Sequence, residues 1–309
     1  MIAKSSYGVV MYTFDHIVWI QTAFIGDVVL TTGPLRVVRE RYPNCRQIVV
    51  TTAQGSSILS TLPGIETVVF DKSSIKSFAS VTKRLKSLGL VASRGLTIQA
   101  HRSFRSALLA QLLRRPIITF RQSAFSRFAA QRVSRITVLH EVERLGLLLE
   151  PLGIKRLTQK ELKPCLTAEP FSLPTAGKKR VALACGSIWH TKKWPLESFV
   201  VLARRLILLN WEVFLVGSCA ENYLGQKISA EVPEVLNFIG KTSLLEFKNL
   251  LRQMDLVVSN DSSPVHIASA FDVPTVVLFG AMAPSFGFGP LAQRRCIAQV
   301  EDLSCRPCS

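Results

Sequence analysis

The side chains best equipped for chemistry gather in S-N-D-S-S-P-V-H, Ser259 to His266. The apolar run Leu256 to Val258 ahead of them has the look of a buried strand. Asn260 to Ser263 are cap-type residues, and Pro264 stands where a first helical turn begins. Such a turn aims unpaired N–H groups and the positive end of a helix dipole at one point. The Ser262 and Ser263 hydroxyls stand beside that point, which suits a phosphate. The same residues also describe a capped helix in an ordinary strand–helix unit, and His266 alone does not decide between the two.

Other clusters follow the same strand-to-helix grammar. Asp27, after Gly26, either caps the helix it opens or, at the carboxyl edge of a sheet, takes a proton from a bound hydroxyl as a general base. The polar loop C-G-S-I-W-H-T-K-K-W-P, Cys185 to Pro195, offers Lys192 or Lys193 to a diphosphate leaving group, with Ser187 and Thr191 as hydroxyl donors. A solvated basic loop is its plainer explanation. In V-G-S-C-A-E a glycine turn leads to Glu221, a helix-dipole partner or a ligand for ribose hydroxyls, although no G-x-G-x-x-G accompanies it. Gly240-Lys-Thr-Ser lacks the leading part of a P-loop, which removes an NTPase reading. Cys305 and Cys308 form a single C-x-x-C without two further ligands nearby, too little for zinc.

One stretch differs in kind. Arg102 to Arg135 holds eight arginines, no acid, and phenylalanines at 104, 120, 125 and 128. Arginine binds phosphate in bidentate fashion and phenylalanine enters the acyl boundary, so Arg102, Arg105, Arg121 and Arg127 suit an anionic membrane surface or a phosphorylated headgroup. Nucleic acid is the rival partner, and a plain solvated face the alternative to both.

These clusters need a scaffold, and the pattern supplies one. Val/Ile-rich runs alternate with helical stretches: strands at 17–20, 47–51, 67–70, 96–99 and 117–120, helices near 53–61, 74–88, 103–113 and 140–150, and a helix after Gly26. K-P-C-L-T-A-E-P-F-S-L-P-T-A-G-K-K, Lys163 to Lys179, breaks the series, so domains are expected at 1–165 and 166–309, with residues 1–15 as a leader. A second series follows, with strands at 180–185, 212–217, 237–239, 256–259 and 275–279 and helices near 195–209, 221–231, 243–253 and 263–271. The expected class is α/β, two doubly wound units facing across a cleft where ligands bind. Residues 1–173 carry 24 Lys and Arg against 10 Asp and Glu, the remainder 14 against 11, so the first half should meet something anionic. Seven scattered cysteines are those of a reducing compartment, and no apolar run reaches 18 residues, which together point to a cytoplasmic protein.

Taken in order, I-Q-T-A-F-I-G-D-V-V-L-T-T-G-P-L, T-K-K-W-P, L-V-G-S-x-x-E, I-G-K-T-S-L and S-N-D-S-S-P-V-H-I-A-S-A-F-D-V-P-T-V-V-L-F-G resemble the lipopolysaccharide heptosyltransferases, glycosyltransferase family 9, from about Ile17 onward. The resemblance implies a GT-B fold with an acceptor-binding first domain and a donor-binding second one. It also implies inverting transfer of heptose from ADP-heptose to the inner core of lipopolysaccharide, with no cofactor and no metal, at the inner face of the cytoplasmic membrane. By the same resemblance Asp27 is the base, Lys192 the diphosphate ligand and Glu221 the ribose contact, while Asp261, Ser262, Ser263 and His266 form the phosphate and sugar loop. The arginine stretch would hold acceptor phosphates or lipid, leaving nucleic acid no part. Ser263 stands where many relatives have Gly, the leader has no expected counterpart, and relatives usually continue past Ser309 with a closing helix. A transferase using another nucleotide sugar, or a non-catalytic membrane-surface protein of the same fold, are the competing expectations.

Overall fold

Six parallel strands make the sheet of the first unit in the computed structural model, which describes residues 2–4, 10–12, 14–90, 94–173 and 177–301. After an antiparallel pair, β1 (Ile2–Lys4) and β2 (Val10–Tyr12), come β3 (His16–Ile20), β4 (Arg46–Thr51), β5 (Ile65–Val69), β6 (Gly95–Gln99), β7 (Ile117–Phe120) and β8 (Gln131–Val133). Their spatial order is β5-β4-β3-β6-β7-β8, with Ile20 level with Val50 on one side and Gln99 on the other. The helices are α1 (Ile25–Arg41), α2 (Ala53–Leu59), α3 (Lys76–Ser87), α4 (Phe104–Leu112) and α5 (Glu141–Leu147). The His16-Ile-Val-Trp-Ile20 strand is buried along its whole length because helices cover both faces of a parallel sheet. Val18, Ile20, Ile48, Val50, Val81, Leu85 and Leu109 fill one side of it.

The second unit repeats the plan. Its strands are β9 (Arg180–Ala184), β10 (Glu212–Leu215), β11 (Leu236–Asn237), β12 (Leu256–Asn260), β13 (Thr275–Phe279) and β14 (Arg295–Gln299), ordered β11-β10-β9-β12-β13-β14 and all parallel. Helices α6 (Leu196–Leu208), α7 (Asn222–Glu231), α8 (Leu244–Arg252) and α9 (Ser263–Phe271) link them, and Val181, Leu183, Phe199, Val213, Leu215 and Ile228 pack together as its core. The units are Met1–Cys165 and Leu166–Ser309. In each sheet the strand order reverses once, between β3 and β6 in the first and between β9 and β12 in the second. At such a reversal neighbouring loops diverge and leave a crevice at the carboxyl ends of the strands.

Two edge strands, β8 and β14, were not expected from the sequence, and the helix expected over 140–150 stops at Leu147, yielding to a 3-10 turn at Glu150–Leu152. Pro151 cannot continue the hydrogen-bond ladder. Residues 1–15, expected as a leader, contain the paired strands β1 and β2. Cys305 and Cys308 lie outside the described residues. The first unit closes on α1: Arg36 Nη2 donates to the Glu161 carbonyl at 2.6 Å and the Cys165 N–H to Thr32 Oγ1 at 2.9 Å. Between these bonds, Gly33 lies so near the Leu162 carbonyl that an added Cβ would sit 2.0 Å from its oxygen.

Candidate functional site

In the second unit β9 and β12 are neighbours, so the loops that follow them start side by side at the reversal point. Asn260, wholly buried at the end of β12, ties them together. Its Nδ2 donates to the carbonyls of Cys185 (2.8 Å) and Gly186 (3.3 Å), and its Oδ1 accepts the Trp194 N–H at 2.9 Å. These bonds fix both ends of the loop that carries Lys192. Its middle is fixed as well: the Thr191 carbonyl accepts the Ala281 N–H at 3.3 Å and would lie 2.7 Å from a Cβ on Gly280. Only glycine permits that approach. Lys192, in a 3-10 turn at His190–Lys192, donates Nζ to Asp261 Oδ2 at 2.5 Å. Ser187 is buried and its Oγ accepts the Trp189 N–H at 3.3 Å, while Thr191 is exposed.

Pro264 places α9 with its first turn beside this pair. Ser262, its N-cap, makes no side-chain cap; its hydroxyl instead donates to the Asn260 carbonyl at 3.3 Å and lies 3.3 Å from Ser259 Oγ. The first-turn amides of α9 therefore have no side-chain acceptor at the N-cap, with the half-buried Ser262 and Ser263 beside them. His266 is buried one turn further on, its ring 6.3 Å from that of Phe288. Glu221 ends the turn after β10. Its Oε2 accepts the Ser218 N–H (2.6 Å) and hydroxyl (2.9 Å), and its Oε1 would lie 1.6 Å from a Cβ on Gly186. A carboxylate, a lysine and a helix start are thus held around one crevice, an arrangement suited to a nucleoside diphosphate.

In the first unit Asp27 lies in the first turn of α1, directly after β3. It is half-buried, and burial above all pushes its carboxyl up to about 6. Glu141 pushes in the same direction, while the backbone amides of Asp27 and Phe24 and the charge of Arg135 pull the other way. Asp27 is the third residue of its helix, whose N-cap, Phe24, supplies no side-chain cap, and a carboxyl held near neutrality is suited to proton uptake. Around it, burial lowers the half-buried Lys72, which Asp27 partly restores. His101, after β6, lies 2.9 Å from Thr22 Oγ1 through Nδ1, and burial followed by the charges of Lys72 and Arg102 hold it down at about 4.

The eight arginines do not act as one surface. Arg115 is buried, donating Nε to His16 Nε2 and Nη2 to the Leu90 carbonyl, both at 3.3 Å. Arg135 pairs with Glu141 at 2.7 Å. Arg102, Arg105, Arg121 and Arg127 are exposed, as are Phe104 and Phe128, and the Arg127 guanidinium sits 4.8 Å from the Phe128 ring centroid. Phe120, by contrast, is a core residue. Sequence reasoning missed three contributors: Asn260, read only as a cap-type residue; Lys72, which carries no motif; and Glu141, six residues beyond the acid-free stretch.

Among the described residues no helix is long and apolar enough to cross a membrane, and no three of His, Cys, Asp and Glu gather as metal ligands would. A family model described as glycosyltransferase family 9 (heptosyltransferase) matches residues 85–309. Lipooligosaccharide heptosyltransferase 2 of Haemophilus influenzae is 25% identical over 317 residues, covering 92% of this chain and 88% of that one. Lipopolysaccharide heptosyltransferase 2 of Escherichia coli is 23% identical, covering 85% and 82%. Among solved structures, a family 9 glycosyl transferase from Veillonella parvula superposes with a TM-score of 0.81 at 23% identity, covering 94% of this chain and 87% of that one. The E. coli ADP-heptose lipopolysaccharide heptosyltransferase II does so at 0.78 and 24%, covering 93% and 91%. Two doubly wound parallel sheets in one chain place the fold in the GT-B class, and with a family model matching well over half of its residues the protein belongs to glycosyltransferase family 9, the heptosyltransferases.

Proposed function

We propose that the protein moves heptose from ADP-heptose to the inner core of lipopolysaccharide with inversion at the anomeric carbon and without a metal. The observation that carries this is the Lys192–Asp261 pair at the reversal point of the second sheet, set beside the uncapped start of α9. Asp261 holds the ammonium where a diphosphate would need it, and a sugar hydroxyl can take the carboxylate once phosphate claims the lysine. Ser187, Thr191, Ser262, Ser263 and His266 complete the donor region, and Glu221 receives the ribose hydroxyls. In the reaction the acceptor oxygen bonds to the anomeric carbon as its proton passes to Asp27 and the bond to ADP breaks. Lys192 and the α9 amides then hold the charge that collects on the departing diphosphate. The exposed arginines 102, 105, 121 and 127, with Phe104 and Phe128, are assigned to acceptor phosphates or an anionic leaflet, which makes the protein a cytoplasmic, peripheral membrane enzyme.

Incubation with ADP-heptose and defined lipid A–core acceptors, with products read by mass, tests the reaction. Transfer is expected from ADP-heptose and from no other nucleotide sugar, and Asp27→Ala should abolish it while leaving ADP binding intact. Transfer from a different donor, or full turnover by Asp27→Ala, would overturn the assignment. Co-sedimentation with phosphatidylglycerol vesicles tests the membrane role: binding should fall when Arg121 and Arg127 are replaced by Ser, and unchanged binding rejects it.

A further inference from the structure

Glu141 opens α5, and α5 packs along α1, whose first turn carries Asp27. The Glu141 side chain is buried, and its Oε2 accepts from two guanidiniums, Arg135 Nη2 at 2.7 Å and Arg144 Nη1 at 2.8 Å. Arg144 is itself fixed, with Nε donating to the Ile136 carbonyl at 3.2 Å and Nη2 to that of Thr137. The backbone under Glu141 is held too: His140 Nδ1 accepts the Val142 N–H at 3.3 Å, and Glu143 returns to the His140 N–H at 3.0 Å. Two arginines on one buried carboxylate are weak evidence of stabilisation, because desolvation offsets most of the Coulomb gain. What the arrangement does provide is a charge that cannot swing away.

Tyr42, just past α1, donates to the Leu152 carbonyl, just past α5, and Gly33 and Gly146 both seat against Leu162, so the two helices run in the same direction and their first turns, with Asp27 and Glu141, lie at the same end. Glu141 raises the proton affinity of Asp27, Arg135 lowers it, and Lys72 is the third charged neighbour. Arg102, in turn, feels Glu141, Arg135 and Arg144. Among the described residues, two further elements pack on α1: α2 has no charged residue, and the one charge on β4, Arg46, starts that strand and pairs with Glu66. We propose that Glu141 is a positioning residue acting through Asp27: clamped by Arg135 and Arg144, it keeps a fixed negative charge near the first turn of α1 and sets how readily Asp27 takes up the acceptor's proton. This rests on Asp27 being the base. The proton leaves the acceptor hydroxyl for an Asp27 carboxylate oxygen as the new glycosidic bond forms and ADP departs, so a carboxylate of raised basicity serves better so long as it remains ionised.

The test is the pH dependence of kcat in the full chain, from about pH 5 to about 9, with ADP-heptose and acceptor saturating. In Glu141→Gln, which keeps the shape and an acceptor for both arginines, the acid limb should move down by roughly half a unit to one unit. The KM for ADP-heptose should stay within about twofold. In Arg135→Gln, which leaves Glu141 paired with Arg144, the limb should move up, and Glu141→Asp should restore the wild-type position. Opposite movements from the two halves of one ion pair are not produced by general loosening. An unmoved limb in a folded Glu141→Gln overturns the proposal. Should that variant fail to fold, NMR titration of Asp27 in Arg135→Gln decides: a rise supports the proposal, and no change or a fall overturns it. Wild-type turnover by Asp27→Asn would instead sink the base assignment, whereas its loss together with an unmoved limb in Glu141→Gln sinks only the inference.

Discussion

Replacing Asn260 by Ala is the most informative single change in the second unit. It removes the acceptor of the Trp194 N–H and the donor shared by the Cys185 and Gly186 carbonyls, all at a position with no exposed surface. A buried polar group left without its partner costs about 1–3 kcal/mol, and carbonyls tolerate it better than N–H groups. One N–H and two carbonyls, the carbonyls counting for less, therefore set the expected loss at about 2–4 kcal/mol, a large share of the roughly 5–15 kcal/mol that holds an ordinary domain folded. Trp194 is half-buried, so water reaching its N–H would bring the loss toward the lower figure. Because the same bonds fix both ends of the Lys192 loop, ADP affinity should fall on the order of tenfold or more. Urea unfolding and calorimetric ADP titration measure the two effects. Asn260→Asp is the control: it keeps the acceptor for Trp194 but loses both donated bonds and sets a second carboxylate next to Asp261, so it should be worse at neutral pH and improve as pH falls. An Asn260→Ala protein that unfolds within about 0.5 kcal/mol of the parent and binds ADP equally well would refute the claim that this side chain ties the two loops.

Three further outcomes follow from geometry and charge. His101 is held down at about 4, against an ordinary value of 6.5, so the unfolded chain binds more protons between those values. Its contribution should be complete above pH 6.5 and lost as pH falls toward 4, with a ceiling of about 3 kcal/mol; His16, depressed by burial, acts in the same direction, and His101→Gln should flatten the dependence in denaturant melts. Gly33→Ala would bring its Cβ within 2.0 Å of the Leu162 oxygen and 2.6 Å of its carbonyl carbon, backbone atoms that cannot rotate aside, so a loss of about 3 kcal/mol is expected in thermal unfolding. Gly186→Ala meets the Glu221 side chain first, which can swing only by giving up its bonds to Ser218; a loss of about 1 kcal/mol in stability is expected while ADP affinity falls on the order of tenfold, and unaltered ADP binding would remove Glu221 from the proposed ribose site.

The alternation of apolar strands with helical stretches gave away ten of the strands, because a strand buried on both faces must be written in Val, Ile and Leu. β8 and β14 escaped notice for the converse reason. Gln131-Arg-Val and Arg295-Cys-Ile-Ala-Gln sit at sheet edges with half-exposed or exposed residues, and nothing forces an apolar pattern on them. The site was legible where one stretch carries it, as in Asp261 to His266. It was illegible where distant residues combine. No local pattern announces that Lys192 will meet a carboxylate 69 positions away, or that Asn260 will hold Cys185 and Trp194 together. Arg115 and Arg135 joined the basic stretch on composition alone, and only the fold sends one to His16 at the start of β3 and the other to Glu141.

The way the first unit ends has a mechanical side. Residues 161–165 are fastened to α1 by a guanidinium at Arg36, a hydroxyl at Thr32 and the tight seat at Gly33. The chain thus departs under tension-bearing anchorage, with no slack to absorb a tug from downstream. A pull on the chain through Leu166 would therefore meet α1 at Thr32 to Arg36, one to two turns from the first turn that carries Asp27.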